Sequence, residues 1–166
     1  MILQRLSDKL TSVLRLGFAL ALGLTLTSCG NNGCEKIRES YLEASFKATG
    51  RVSLSSVYAW ALTAEGDSLM TTATSPTEME FILKPDTSVT QIRLASTITE
   101  DDEQYQYNDT LTLVYEYYPY FLDMECGCSV FFEIKEATIT NAVFKSIEIK
   151  NKEITNDETV NLVLTY

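Results

Sequence analysis

The chain has 166 residues, 45% of them hydrophobic, and its 23 acidic against 13 basic side chains leave a formal net charge of −10. An acidic balance of this size argues against a nucleic-acid surface and against an electrostatic hold on anionic lipid headgroups, since both need a positive face. The many Tyr, Phe, Val and Ile residues exclude compositional disorder, and the length suits one domain with a core.

At the N-terminus, Arg5, Lys9 and Arg15 precede an uncharged run from Leu16 to Leu26, rich in Leu, Ala and Gly. The run is about eleven residues long, short of the roughly 20 that cross a membrane as a helix, and it ends in Thr27 and Ser28 without a basic flank. Residues 1–28 are therefore expected to be a signal peptide that is removed. Leu26-Thr27-Ser28-Cys29 resembles the lipobox of bacterial lipoproteins. That resemblance implies lipidation at Cys29, with enough acyl chains for stable anchoring; ordinary secretory cleavage near Ser28 is the alternative. The mature chain would keep 138 residues, with ten basic and 22 acidic side chains, a charge of −12. The lipid would have to anchor it alone. Residues 29–38 read as a lipidated tether. Because Gly30 to Gly33 carry no acidic run, the expected location is the cell envelope, at the periplasmic face of the outer membrane.

From residue 39 onwards the apolar pattern has period two almost throughout, the signature of half-buried strands. Leu42, Ala44, Phe46 and Ala48 alternate with polar neighbours. A helical start over 35–44 is the alternative there, since Ile37, Tyr41 and Leu42 share a helical face. Val52, Leu54, Tyr58, Trp60 and Leu62 mark a second strand, ended by the turn residues Glu65-Gly66-Asp67. Met79, Phe81 and Leu83 mark a third, stopped by Pro85, and Ile92, Leu94 and Ile98 lie on one face of a fourth. The acidic loop Glu100 to Glu103 leads into a strand from about Tyr105 to Tyr118, which Pro119 separates from the next. There Leu122, Met124, Cys126, Cys128, Val130, Phe132 and Ile134 fall on one face. Two last strands carry Val143, Ile147 and Ile149, then Val160, Leu162, Leu164 and Tyr166. Seven to eight short strands joined by turn residues predict an all-β fold, an antiparallel, immunoglobulin-like β-sandwich over 39–166.

Asp123-Met124-Glu125-Cys126-Gly127, with Phe131-Phe132 and Ile147-Glu148-Ile149 after it, resembles an uncharacterised family of small Bacteroidota lipoproteins. Its members have a second cysteine soon after the lipidated one, here Cys34, and a late Cys-Gly pair opening an aromatic strand. The resemblance implies a periplasm-facing β-sandwich and assigns no activity. Cys128 departs from the family pattern.

The chemistry is narrowed by what is missing. The chain has no histidine, which excludes Ser-His and Cys-His nucleophiles and the common imidazole metal sites, and it has no phosphate loop or nucleophile elbow. No cofactor and no metal are expected. The acidic clusters at Glu100 to Glu103 and at Asp157-Glu158 lack calcium-loop spacing and read as charged, solvated loops. An exported domain meets an oxidising compartment, so Cys34, Cys126 and Cys128 should not all be free. Cys126 and Cys128, as i and i+2 on one strand, would lie about 6.6 Å apart with parallel side chains, a poor disulfide geometry. The expected bond joins Cys34 to Cys126 or Cys128, and the remaining thiol is expected to be buried.

Tyr115-Glu116-Tyr117-Tyr118-Pro119-Tyr120-Phe121 is the densest aromatic stretch. Alternation puts Tyr115 and Tyr117 in the core with Leu111 and Leu113. Tyr118, Tyr120 and Phe121, flanking the proline at a supposed hairpin tip, are the candidate contact surface for an envelope protein or glycan; covering the open end of the sandwich is the alternative role. The expected function is a non-catalytic binding or assembly module. The competing class is a hydrolase or thiol-exchange enzyme using carboxylates or a spare cysteine.

Overall fold

The computed structural model describes residues 39–166, so the expected signal peptide and tether, with Cys29 and Cys34, lie outside the described residues. Ten strands follow one another: β1 (Tyr41–Lys47), β2 (Ser53–Ala61), β3 (Ser68–Thr74), β4 (Glu78–Ile82), β5 (Val89–Glu100), β6 (Glu103–Asp123), β7 (Gly127–Ile139), β8 (Ser146–Ile149), β9 (Glu153–Ile154) and β10 (Val160–Thr165). They build a four-stranded sheet ordered β4-β1-β10-β8 and a six-stranded sheet ordered β3-β2-β5-β6-β7-β9. All pairings are antiparallel except that of β1 with β10.

The core is made by the rows that alternation predicts. Leu42 and Ala44, Met79 and Phe81, Leu162 and Leu164 line the smaller sheet, and Ile92, Leu94, Leu111, Leu113, Tyr115 and Ile134 line the larger, all buried. Two large apolar side chains from connecting segments, Val143 and Phe144, close the same core, with Phe144 against the rings of Phe46 and Tyr166. Each such aliphatic or aromatic burial contributes on the order of 1.5–3 kcal/mol. The fold is thus the expected antiparallel β-sandwich, all-β, with ten strands in place of seven to eight. Its larger sheet contains the consecutive hairpins β5-β6-β7, where an immunoglobulin domain alternates between its sheets more often.

The strand expected over residues 41–47, ahead of its helical alternative, forms. Three local expectations need correction. In β2 the register slips between Leu54 and Ser56, so the inward residues after Leu54 are Val57 and Ala59, and Tyr58 and Trp60 face outward. A one-residue bulge reverses the face of everything beyond it. The strand β3 was not expected, because its Thr-rich sequence carries no clear apolar row. Pro119 does not end a strand: it pairs with Val130 inside the 21-residue β6. The Tyr115 amide donates to Ser88 O across the β5 side, so by period two the nitrogen of residue 119 faces that side too, where β5 has already ended. A proline removes no ladder bond there.

The turn between β5 and β6 is formed as its residues dictate. Asp101 and Asp102 both adopt positive φ, 49° and 67°, between the paired Glu100 and Glu103, which is the two-residue turn matched to strand twist. The acidic stretch is therefore a hairpin loop, as its charge suggested.

Candidate functional site

The densest aromatic surface lies where β6 and β7 outrun β5. β6 pairs with β5 only as far as Val114, whereas its pairing with β7 continues to Asp123. Every residue of β6 from Glu116 to Phe121 is exposed in consequence, although Tyr115 is buried. Tyr115 is anchored through its hydroxyl, 2.8 Å from Thr90 Oγ1 and donating to Lys84 O at 3.0 Å. Tyr117 does share the face of Tyr115 and stands opposite Phe132, but it is 48% exposed instead of buried. The alternation was sound; the covering sheet stops short.

Alternation also divides the three residues of the expected contact surface. Tyr118 and Tyr120 point to the outer face of the larger sheet, where both rings meet Phe131 of β7. Tyr120 stacks on it at 4.6 Å between centroids with 15° between planes, and Tyr118 meets it edge-on at 6.2 Å. Phe131 is buried beneath them, whereas Tyr118 and Tyr120 keep 37% and 49% of their surface exposed. Phe121 lies on the opposite face, paired with Cys128. None of the three is at the hairpin tip, which is the short loop 124–126 closed by Gly127 in the left-handed region at φ 74°.

Polar groups fix the platform at its sides. The Tyr118 hydroxyl donates to Glu153 Oε2 at 2.7 Å, and that bond to a carboxylate, with smaller contributions from burial and nearby negative charge, pushes the phenol up to about 12. Beyond it on the same face, Lys135 Nζ bridges Glu133 at 2.8 Å and Glu116 at 3.1 Å. These exposed ion pairs contribute little stability. They frame an amphipathic ring pair whose rotamers are already held by stacking.

Residues 55–166 match DUF6452, a family of unknown function. The chain belongs to that family. The match runs from within β2 to the end of the chain, so Tyr118, Tyr120, Phe131 and the late cysteines lie inside the DUF6452 region and β1 lies outside it. No curated protein and no solved structure matches the chain.

The cysteines of the DUF6452 region differ in state. Cys126 is disulfide-bonded and buried, in the turn before β7, not on the strand itself. Its amide donates to Asp123 Oδ1 at 2.7 Å. Cys128 is a free, exposed thiol, which corrects the expectation of a buried one. It does keep the face of Phe132 and Ile134, but at the uncovered end of the sheet, where Cys128, Pro119 and Val130 line a cleft of about 470 Å³ with Ser40, Tyr41 and Leu83. Met124, expected on the same buried face, sits exposed in the loop.

Carboxylates converge on the outer face of the smaller sheet. Glu43 stands opposite Glu80, and Glu158 lies close to both. Burial and then the charges of Glu78, Glu80 and Glu158 hold the Glu43 carboxyl above the ordinary range. Among the described residues, no group of three or more His, Cys, Asp or Glu side chains is placed to hold a metal ion.

Sequence reasoning missed two buried polar anchors. Asp109 lies on the inward row of β6 and accepts hydrogen bonds from Thr140 Oγ1 (2.7 Å) and from the amides of Ala142 (2.8 Å), Val143 (2.8 Å) and Phe144 (3.3 Å). Asn161 accepts from the Glu43 amide at 3.0 Å and donates to Glu153 O at 2.9 Å, linking both sheets. The available signal was an acid within an apolar alternation, Asp109 before Leu111, Leu113 and Tyr115.

Proposed function

We propose that this DUF6452 chain is an exported lipoprotein, held in the cell envelope by a lipid on Cys29, that serves as a non-catalytic binding or assembly module. Its contact surface is the outer face of the β6-β7 hairpin, centred on Tyr118 and Tyr120. The observation that carries the reading is their arrangement: two exposed tyrosines packed on one buried phenylalanine, Tyr120 face to face and Tyr118 edge-on. Rings fixed in this way lose little conformational entropy on binding and present a flat apolar surface with hydroxyls at the rim. That surface suits a protein or the apolar face of a sugar ring. Phe121, turned to the other face, is not part of it.

The cysteines support the same placement. With Cys29 lipidated and Cys128 a free thiol, Cys34 is the remaining partner for Cys126, and that bond would staple the tether to the β6-β7 turn beside the platform.

Replacing Tyr118 and Tyr120 together with alanine tests the binding role. The loss of two ring contacts should cost about 1–3 kcal/mol of stability, while co-purification of a partner from membranes, or retention on an envelope glycan, falls at least about tenfold, a change of roughly 1.4 kcal/mol. Unchanged partners would refute the assignment. Placement is tested separately: Cys29→Ser should move the protein from the membrane to the soluble fraction, and a soluble wild type would refute it.

A further inference from the structure

The β6-β7 hairpin ends in a tip that exposes apolar side chains. Met124, in the loop 124–126, is 91% exposed, and Phe121, opposite Cys128 near the end of β6, is 56% exposed. The loop between the strands is held: Asp123 Oδ1 accepts from the amides of Glu125 at 3.0 Å and Cys126 at 2.7 Å, an Asx turn, and Gly127 closes it at φ 74°. A single exposed apolar side chain needs no explanation. Two within three residues of each other, at a fixed turn that also carries a disulfide-bonded cysteine, ask for one.

The covalent link sets how far this tip can stand from the lipid when Cys29 is acylated and Cys34 is bonded to Cys126. The chain is long enough for that bond. Ser40 Oγ donates to Val130 O at 2.8 Å. Val130 is four positions, about 13 Å, from Cys126, and the six residues from Cys34 to Ser40 reach at most about 20 Å. From Cys34, five residues lead back to Cys29, a reach of at most about 18 Å. Without the bond the leash would run eleven residues from Ser40, up to about 40 Å. The other end of the 21-residue β6, at Glu103, lies up to about 65 Å along the strand from Asp123. The disulfide thus ties the lipid to the Met124 end of the hairpin.

We propose that the β6-β7 tip docks on the bilayer that holds the lipid, with Met124 and Phe121 in its interfacial layer, an inference that rests on the anchored reading above. The short leash fixes the occupant as a lipid surface, because it keeps the tip at the headgroups whatever else is present. Apolar burial is favourable in proportion to area, whereas Glu125 and the acidic balance of the chain repel anionic headgroups. The lipid favoured at the tip is therefore zwitterionic. Two side chains are a weak anchor alone, and the leash supplies them with a high effective concentration at the surface. Tyr118 and Tyr120, on the outer face of the hairpin, stay free for the partner.

The test uses the membrane-derived lipoprotein in phosphatidylcholine vesicles with brominated acyl chains, which quench tryptophan at the interface. Met124→Trp is the reporter, and Trp60 on β2, the one native tryptophan, is the reference in the wild type. Emission from Met124→Trp should be quenched at least about threefold more than that of Trp60. Cys34→Ser with Cys126→Ser should cut that quenching at least about twofold, and so should about twelve Gly-Ser residues inserted after Gly30. The insertion leaves the domain and its disulfide intact, so a loss of fold cannot imitate the result. Replacing half of the lipid with phosphatidylglycerol should weaken the quenching as well. Equal quenching of the two tryptophans, or indifference to both leash variants, would overturn the proposal. Protein that fails to enter the vesicles sinks the anchored reading and this contact with it, whereas anchored protein with an unquenched Met124→Trp sinks this contact alone.

Discussion

Asp109→Ala is the substitution whose cost can be worked out most directly. The carboxylate is almost wholly buried, at 1% exposure, and takes four donors across its two oxygens. Thr140 and Ala142 lie at the surface and can turn to water when it is removed, but the amides of Val143 and Phe144 are in the core. A buried donor left without a partner costs about 1–3 kcal/mol, so two should cost about 2–6 kcal/mol, a large share of the roughly 5–15 kcal/mol that holds a domain folded. The loop they belong to also seats the Phe144 ring against Phe46 and Tyr166. Urea unfolding followed by circular dichroism should show that loss, with a fall in Tm on the order of 10–20 °C. Asp109→Asn keeps one acceptor oxygen and should cost about half as much. Thr140→Val in the Asp109→Ala background should cost less than in the wild type, because their shared bond is already gone. A loss below about 1 kcal/mol for Asp109→Ala would refute the reasoning, since two orphaned core amides cannot cost so little.

Glu43→Gln should stabilise the fold at pH 7 by about 0.2–1 kcal/mol through relief of like charges across β1 and β4. Because the folded carboxyl is raised, folding favours its protonated form, so the wild type loses stability as pH rises from the unfolded value through the folded one and the advantage of Gln fades below that window; a pH series of urea midpoints checks the sign. Tyr118 should titrate near 12 by ultraviolet difference spectroscopy, and Glu153→Gln should bring it back toward 10; the stabilising bond is present below the unfolded value and is lost as pH rises through about 12. Alkylation without reductant should label Cys128 alone in membrane-derived protein. Cys126→Ser should expose one further thiol, that of Cys34, and cost about 4–5 kcal/mol on the chain-entropy account of a loop spanning the 92 positions from Cys34 to Cys126.

Much of the sandwich was legible because alternation is a local signal. The inward rows of β4, β5 and β10 are the residues that period two selects, and the acidic 100–103 stretch is a hairpin because its charges suit nothing buried. Features set by non-local pairing were not legible. A bulge after Leu54 turns Tyr58 and Trp60 outward, and no residue type announces it. β3 is hidden because an exposed edge strand needs no apolar row. Pro119 reads as a break until it is known that β5 ends before reaching it. Tyr117 and Cys128 lie on the faces alternation assigns but are exposed, because burial depends on how far the other sheet extends. The aromatic stretch was visible as composition. Its division into an outer pair on Phe131 and an opposed Phe121 required the register of β6 on β7.

The central claim is that the Tyr118-Tyr120 face meets a partner in the envelope. The most direct measurement is photo-crosslinking in cells from a benzophenone side chain at position 120, beside the same group at position 58, an exposed tyrosine on the outer face of β2. The account predicts a discrete crosslinked species from position 120, absent from position 58 and lost when Cys29→Ser releases the protein from the membrane. Identical products from both positions, or none from position 120, would contradict it.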